Sequence, residues 1–411
     1  MQGIGKRKML CGKQICAMLC AALLGLGCLS GTAEAAQAIG GFFKQIRQAN
    51  DMDRDGQGEY ELLHQSFAAL SLDKESRQRY PALARTLENM AKQQWQQARK
   101  TRENMKNEAR SFRENNPKYY HPLTHDVDVL LRRADDKVVS FLSMEYTGGS
   151  GAHGMYGWQG VNLSTDTGEE IHLSQVVQDM GRLTDVVTKR LRQDYPQGCY
   201  AEMEELVHKM ALQDELNWSL DPKGITFYFN PYAIGPYAAG LMEATVLFAE
   251  EPDLFTETYR EAAESYAQPF PDWYPLTTSM AGGRDVLALR QEGKQLIIEV
   301  NGTVHSFRAE LDDLHPVLID KEGKIYLYVD GISSEGSRRT MVFRMEGEKP
   351  HHLATLPYTF LHTEAVSPAE QRYWNFLTNP DGFYMDRAGR PGASTKTDIC
   401  AVGENGLLTF G

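Results

Sequence analysis

The sequence is poor in cysteine and in basic residues. Only Cys199 and Cys400, of six cysteines in the chain, lie outside the first 28 residues. Lys and Arg total 43 against 55 Asp and Glu, which gives a formal net charge of −12. Because no basic domain is present to neutralise phosphates, we expect no nucleic-acid partner.

The sequence does not decide whether the two remaining cysteines form a disulfide. In an oxidising compartment Cys199 and Cys400 can pair. Pairing requires their Cα atoms to lie within about 7 Å of each other, and the two residues are far apart in the chain. The sequence therefore leaves both alternatives, a disulfide and two free thiols, in place.

Long apolar runs are absent except at the N-terminus. Four basic residues between positions 6 and 13 precede an apolar stretch at 15–29, and an A-x-A cleavage site follows at 33–35. This order predicts a signal peptide over residues 1–35. The apolar stretch is shorter than the roughly 20 residues that span a membrane, so we expect no transmembrane segment after cleavage. Cys28 follows a lipobox-like stretch, which leaves a lipid anchor as a minor alternative.

Export changes the charge that partners would meet. The first 35 residues carry four positive charges and one negative charge, so the remainder would have a net charge of −15. A strongly acidic protein attracts cationic partners. We expect an exported protein, periplasmic or extracellular, in a bacterial cell envelope.

The hydrophobic pattern changes along the chain. Helical and strand patterns alternate in the first two thirds. Short alternating strands then follow at 285–290, 295–300, 303–311, 324–330, 340–345 and 407–410, and turns such as Asn301-Gly302 and Glu322-Gly323 separate them. The segment 269–283 between them contains three prolines and ends in Gly-Gly, which is typical of a linker. We predict an α+β domain at 36–268, with an antiparallel sheet packed against helices and a core from about residue 60. A smaller all-β domain is predicted at 284–411.

Local patterns predict the first elements of the α+β domain. Residues 40–50 are consistent with a short amphipathic helix, and 60–70 with a strand. An apolar stripe at three- and four-residue steps from Pro81 predicts a helix of about 30 residues. Further helices are expected at 174–194, 201–213 and 252–265.

An acidic segment at 51–61 resembles half of a calcium-binding loop. Asp51, Asp53 and Asp55 follow the pattern D-x-D-x-D-G. Such a loop needs a bidentate Glu at its twelfth position, and neither register supplies one. We therefore favour a solvated acidic turn over a metal site, and we expect no metal and no other cofactor.

A glycine-rich stretch at 144–162 is the most distinctive local feature. Its loop-forming glycines reach positive φ at little cost and surround His153; they are Gly148, Gly149, Gly151 and Gly154. Apolar residues precede the loop, and Tyr156 and Trp158 follow it, which predicts a hairpin. His153, Tyr156 and Trp158 are candidate ligand contacts, although a hydrogen bond that fixes the loop is the commoner role of such a histidine.

A second aromatic stretch occurs at 227–240. Strand alternation predicts that its two phenylalanines face the core. Tyr228, Tyr232 and Tyr237 lie close to Asn-Pro and Gly-Pro turns, where exposed aromatic rings can bind glycans or proteins. The alternative is that these tyrosines fill the core, and we expect at least one of them to be exposed.

The sequence offers little support for an enzyme. Ser150 has flanking glycines, but the G-x-S-x-G pattern fails because Ala152 occupies the last position. His121 and His125 have the spacing of helical metal ligands, yet Pro122 argues against a helix there. We therefore expect no catalytic residues.

Three motifs occur in order: TGGSGAHGMYG at 147–157, NLSTDTGEEIHLSQVV at 162–177 and FYFNPYAIGPYAAG at 227–240. They resemble an extracytoplasmic module, the RsiV/PdaC-like family, found in lysozyme-sensing anti-sigma factors and beside the catalytic domain of peptidoglycan deacetylases. The resemblance covers roughly residues 60–265. It implies an α+β fold and a non-catalytic module of the cell envelope that binds a muramidase in some relatives and accompanies peptidoglycan chemistry in others.

Composition and resemblance together predict a non-catalytic exported binding protein. Its partner would be a cationic protein such as a lysozyme, or peptidoglycan, and the aromatic loops would make the contact. Two alternatives stay open. One is an ancillary or catalytic component of peptidoglycan modification, and the other is a scaffold in an envelope complex.

Overall fold

The computed structural model describes residues 36–149, 153–362, 371–387 and 397–410. The predicted signal peptide, Cys28 and Gly151 lie outside these residues. Residues 35–411 form one compact unit. None of the described helices is long and apolar enough to cross a membrane.

Strands dominate the described residues. The strands are β1 (Phe42–Asp55), β2 (Gly58–Leu72), β3 (Leu123–Ala134), β4 (Val138–Gly148), β5 (Met155–Ser164), β6 (Trp218–Leu220), β7 (Gly224–Phe229), β8 (Met242–Leu247), β9 (Ser265–Pro269), β10 (Leu276–Thr278), β11 (Asp285–Glu292), β12 (Gln295–Val300), β13 (Thr303–Arg308), β14 (Leu311–Lys321), β15 (Lys324–Ser333), β16 (Arg338–Glu346), β17 (Lys349–Leu356), β18 (Tyr358–Thr359), β19 (Leu361–His362), β20 (Gln371–Phe376), β21 (Phe383–Arg387), β22 (Thr397–Val402) and β23 (Leu408–Phe410). The helices are α1 (Lys74–Arg79), α2 (Pro81–Asn115), α3 (Leu173–Val176), α4 (Met180–Asp194), α5 (Met203–Leu212) and α6 (Glu257–Arg260), with 3₁₀ turns at Tyr237–Ala239 and Pro252–Leu254. The predicted α+β class, with mostly antiparallel sheets and few helices before a β-rich C-terminal part, is confirmed.

The largest sheet has seven strands in the order β19-β20-β1-β2-β3-β4-β5. Its pairs are antiparallel except β2 with β3, which run parallel because α1 and α2 cross over between them. The turn between β1 and β2 lies at Gly56 and Gln57. Strand β3 thus lies between the N-terminal hairpin and the hairpin of β4 and β5 that carries the glycine-rich loop.

The long predicted helix is confirmed as α2. Asp73 caps the preceding α1 by accepting a hydrogen bond from the Ser76 N–H, and Pro81 occupies the first turn of α2, where no intrahelical N–H is needed. Leu83 and Leu87 point into the core formed with the sheet. Burying each of these leucines stabilises the fold by roughly 2 kcal/mol. Replacing either one with Ala would therefore weaken the packing of the first turns of α2 against the sheet.

Helices α4 and α5 pack on one face of the three-stranded sheet β6-β7-β8. Phe227 and Phe229 of β7 point into this core, as predicted, with exposures of 0% and 2%. Leu183, Val187 and Leu191 supply one helical stripe against them. The opposite face of β7 is turned towards the seven-stranded sheet, and this face carries the polar residues described below.

The C-terminal part contains three further sheets. Their strand orders are β10-β11-β12-β13, β17-β16-β15-β14-β9 and β18-β21-β22-β23. The predicted two-residue turns are present: Asn301-Gly302 and Glu322-Gly323 both have positive φ at both positions, which matches the twist of tight hairpins. Strands β11, β12, β13, β15, β16 and β23 coincide with predicted segments, whereas β9, β10, β14, β17, β18, β21 and β22 were not predicted from the sequence.

Strands cross the predicted domain division in both directions. β20 pairs with β1 in the N-terminal sheet, and β9 pairs with β14 in a C-terminal sheet. The segment proposed as a linker contains β10. The division at 269–283 stays a prediction, but the described strands are shared between the two regions on either side of it.

Several local predictions are wrong. Residues 40–50 belong to strand β1 rather than to a helix, and residues 252–265 contain only short helical turns before β9. Asp51, Asp53 and Asp55 lie on β1 rather than in a turn. Alternation points all three carboxylates at α2, where they bind Arg102, Arg110 and Arg113, respectively.

The possible disulfide is also not formed. Cys199 and Cys400 are free thiols. Cys199 contacts the Met242 sulfur beside α4 and α5, whereas Cys400 is buried in the C-terminal core. The two cysteines pack in different cores, so no disulfide joins them.

Candidate functional site

The glycine-rich loop connects β4 to β5, as predicted for a hairpin. A side chain at Gly148 or at Gly154 would place its Cβ 2.5 Å from the Tyr146 side chain, and Gly149 has a φ of +125°. Glycine at 148 and 154 therefore lets the backbone lie close to the Tyr146 ring, whereas glycine at 149 permits the positive φ and the close approach to the backbone of Pro122 and Leu123. Gly151 lies outside the described residues.

Two loops meet through their aromatic rings. His153 stacks on Tyr237 with ring centroids 3.7 Å apart and planes 21° apart. The Tyr237 hydroxyl donates a hydrogen bond to the Gly154 carbonyl, and His153 Nδ1 lies 3.1 Å from the same carbonyl oxygen. The glycine-rich loop and the aromatic stretch at 227–240 therefore contact each other. His153 contributes a ring stack between them and a polar contact within its own loop.

We call the exposed and half-buried rings around this contact the aromatic surface. It consists of Tyr146, His153, Tyr156, Tyr232 and Tyr237. Tyr232 is 53% exposed and Tyr146 42% exposed, and Tyr232 lies 5.8 Å from Tyr237 between ring centroids. Tyr232 also has a φ of +71°, which is uncommon for a residue with a side chain. An exposed tyrosine in this conformation is a feature that core packing does not explain.

Two predicted ligand contacts lie inside the protein instead. Trp158 and Tyr228 are 5% and 2% exposed, and their ring centroids are 5.6 Å apart. The Tyr228 hydroxyl lies 2.9 Å from Ser219 Oγ. In this structure both rings support the aromatic surface from below.

Strand β5 lies at the edge of its sheet, and asparagine side chains hydrogen-bond to its backbone there. Asn230 exchanges two hydrogen bonds with the Trp158 backbone. Asn217 accepts from the Gly160 N–H at 2.7 Å and donates to the Trp158 carbonyl at 2.7 Å. A Cβ at Gly160 would lie 1.8 Å from the Trp218 carbonyl oxygen, so glycine allows β6 to approach this edge. No pattern in the sequence marks these asparagines as strand partners.

The aromatic residues continue towards a cavity. Trp273 is 63% exposed, and its ring contacts Trp158 edge-to-face at 5.4 Å. Met144 packs against the same cluster, and both Met144 and Trp273 line a cavity of about 280 Å³. No local pattern predicts this cavity, because its walls come from β1, β3, β4, β14 and β20, which are distant in the chain.

A buried polar cluster lies beneath β7 and β8. Arg132 binds Asp221 with two hydrogen bonds of 2.7 and 3.0 Å, and both side chains are almost fully buried. Nearby, burial is the largest influence on Glu243 and raises its pKa to about 8, while Arg132 opposes the rise and Asp221 adds to it. Burial likewise raises the pKa of Tyr274. Glu243 therefore holds its proton at neutral pH beside aromatic neighbours.

Possible metal ligands do not converge in the part of the chain that the structure describes. There, no group of three or more His, Cys, Asp or Glu side chains is arranged to hold a metal ion. The Asp51 carboxylate receives two hydrogen bonds from Arg102, at 2.6 and 3.0 Å. The acidic residues of the calcium-like pattern are therefore engaged in ion pairs with α2.

Comparison with known proteins identifies one domain. Residues 175–249, which include α4, α5 and β6 to β8, match the family DUF3298, a protein family of unknown function. A DUF3298-family protein from Bacteroides fragilis is 17% identical, with a TM-score of 0.39, and covers 54% of this chain and 96% of its own. One from Pseudomonas aeruginosa PAO1 is 16% identical, with a TM-score of 0.31, and covers 53% of this chain and 96% of its own. No curated protein matches the chain.

Proposed function

We propose that this protein is a non-catalytic binding protein of the cell envelope and that the aromatic surface contacts its ligand. The observation that carries the proposal is the exposure of Tyr146, at the end of β4, and of Tyr232 beside the stack of His153 on the half-buried Tyr237. Aromatic rings supply large contact areas at low entropic cost, and they are enriched among residues that dominate binding energy. The RsiV/PdaC-like resemblance supports an envelope role.

The charge of the chain favours a cationic protein as the partner. The predicted exported form has a net charge of −15, which steers basic proteins towards it and weakens with salt. A muramidase of the lysozyme type is a cationic protein of the envelope environment. We therefore place such a protein first among the ligands.

A peptidoglycan glycan is the second candidate. The aromatic surface and Trp273 offer ring faces on which sugars could stack, and both lie on the side of β4 and β5 that faces away from α2. Stacking on the sugar rings themselves would depend little on salt, while the carboxylates of peptidoglycan fragments would be repelled by the acidic chain most strongly at low salt. Added salt should thus weaken lysozyme binding but leave glycan binding unchanged or stronger, which separates the two ligands.

The test uses the purified chain immobilised on a sensor surface. A cationic lysozyme and soluble peptidoglycan fragments are each passed over wild type, Tyr232→Ala and the Tyr232→Ala/Tyr237→Ala pair, at low and at moderate salt. We expect binding of one probe and a loss of at least about tenfold in the variants. Tyr119→Ala is the matched control, because Tyr119 is 76% exposed and lies outside the aromatic surface.

The outcomes separate the possibilities. No binding of either probe, or equal binding by wild type and the double variant, would contradict the proposal. Two other functions would then be tested. A component of peptidoglycan modification would show turnover of a glycan, and a scaffold would show binding to a second envelope protein.

A further inference from the structure

The cavity of about 280 Å³ lies where the N-terminal sheet meets the C-terminal sheets. One wall is formed by Lys44 and Asp128 of β1 and β3, and the opposite wall by Asp313 and His315 of β14. Asp272 lies in the connection that follows β9. The other residues that line the cavity are mostly apolar. Ligand sites commonly combine apolar walls with a few polar groups in this way.

Acidic side chains outnumber basic ones in the lining of the cavity. Lys44 Nζ lies 2.9 and 3.1 Å from the two oxygens of Asp128, so this cation and this carboxylate neutralise each other. Asp313 lies 3.0 Å from His315 and binds Arg338, which is shared with Asp330. With Asp272, three carboxylates line the cavity, against one lysine and one histidine.

Asp272 is the third carboxylate of the lining. It takes no part in the ion pairs just described. Burial raises the pKa of Asp272 above its ordinary value; His315 and hydrogen bonds from the backbone of Asp272 and Trp273 oppose the rise, and Asp313 adds to it. A positively charged group in the cavity would favour the ionised carboxylate by direct attraction and so offset the cost of its burial.

The backbone of β14 is distorted where it borders the cavity. The pairing of β14 with β15 shifts register between Asp312 and His315, and Asp313 has a φ of +51°. A bulge of this kind turns side chains away from the regular alternation of the strand. It places both Asp313 and His315 on the cavity wall.

We propose that this cavity binds an organic cation, an alkylammonium or guanidinium group, with Asp272 and Asp313 as its anionic contacts and Trp273 at its rim. The exposed Trp273 ring offers a π face for the cation. A volume of about 280 Å³ admits one amine or a single long basic side chain, but no folded segment. The site is separate from the aromatic surface and goes beyond the function proposed above.

The ligand group has two sources, a free amine or a basic side chain of a protein. The experiment titrates the full chain with argininamide, with cadaverine and with a blocked tripeptide that contains one arginine, and follows binding by calorimetry. Citrullinamide serves as the uncharged analogue of argininamide. Stronger binding of the blocked peptide indicates a protein side chain, and stronger binding of the free amines indicates a small molecule; both support the proposal.

Isosteric variants locate the site. Asp272→Asn and Asp313→Asn remove one charge each, and Asn tolerates the left-handed conformation at 313. We expect each to weaken argininamide binding about tenfold, whereas Asp253→Asn, at an exposed position away from the cavity, leaves it unchanged. Thermal unfolding confirms that the variants are folded.

Three results would overturn the proposal. They are equal affinity for citrullinamide and argininamide, no binding of any cationic probe, and cation binding that neither cavity variant changes. The variants Tyr232→Ala and Tyr237→Ala keep this test distinct from the proposed function. Argininamide binding should survive in them even if lysozyme and glycan binding are lost.

Discussion

The side chain of Asn230 pairs with the backbone of Trp158 as a neighbouring strand would. The Trp158 N–H donates to Asn230 Oδ1 at 2.8 Å, and Asn230 Nδ2 donates to the Trp158 carbonyl at 3.0 Å. This exchange ties the loop after β7 to the edge of β5. The aromatic surface therefore depends on an amide side chain outside it.

Asn230→Ala should destabilise the protein by about 1–3 kcal/mol, because the Trp158 N–H loses its partner in a partly buried place. Urea unfolding measures the change. Asn104→Ala is the control, since Asn104 is exposed on α2 and Ala is a better helix former. Equal stability of Asn230→Ala and the control would show that the exchange contributes nothing.

Tyr232→Gly should be more stable than Tyr232→Ala by about 1 kcal/mol, because the φ of +71° costs a residue with a Cβ and costs glycine little. At Tyr119, which is not among the residues with positive φ, the order should reverse. Thermal unfolding of the four variants gives the comparison. Should the Gly variant at 232 be the weaker one, the left-handed conformation is not the source of strain.

Asp221→Ala should destabilise the fold by about 3–5 kcal/mol, because it leaves Arg132 buried without its partner. Thr226 also loses an acceptor at 2.6 Å. In contrast, Glu204→Ala breaks an exposed pair with Arg192 and should cost less than about 1 kcal/mol. Comparable losses in urea unfolding would argue against a structural role for the buried pair.

Glu243 should make stability fall as pH rises. Its folded pKa of about 8 lies above the ordinary value of 4.5, so between these values the folded state holds a proton that the unfolded state has lost. Its contribution is complete below pH 4.5 and is lost up to about pH 8, with a slope of at most about 1.4 kcal/mol per pH unit.

The comparison for Glu243 is Glu243→Gln, which stays neutral at every pH. The difference in unfolding free energy between wild type and variant, measured from pH 5 to 9, should shift in favour of the variant as pH rises. A difference that is constant with pH would mean that Glu243 titrates normally.

Cys199 should be alkylated before Cys400. Cys199 is partly exposed, whereas Cys400 is 1% exposed and burial raises its pKa to about 11. Brief treatment of the folded chain with iodoacetamide, followed by peptide mass spectrometry, reports each site. Recovery of both residues in one disulfide-linked peptide would contradict the conclusion that Cys199 and Cys400 are free thiols.

Part of the fold was accessible from the sequence. The stripe that starts at Pro81 predicted α2, and the Asn301-Gly302 turn predicted a tight hairpin. Residues 40–50 were wrongly assigned to a helix because Phe42, Phe43 and Ile46 satisfy both a helical and a strand pattern over such a short stretch. Pairing with β2 and β20 resolves this ambiguity, and β20 lies more than 300 positions away.

The candidate site was predicted in part. His153 and Tyr237 were both named from the glycine-rich and aromatic stretches, and they stack in the structure. Trp158 and Tyr228 were named with them, yet both are buried. Residue type alone does not distinguish a buried ring from an exposed one, because the difference depends on what packs above it.

By itself, the sequence determined what depends on near neighbours. Helix periodicity, the proline at the start of α2 and the glycines of the tight turns act within a few residues, so they can be read locally. Only the tertiary structure decided which strands pair, that Asp51, Asp53 and Asp55 bind arginines of α2, and that Asp272 and Asp313 share a cavity. These outcomes depend on contacts between distant segments, whose free energies no local pattern contains.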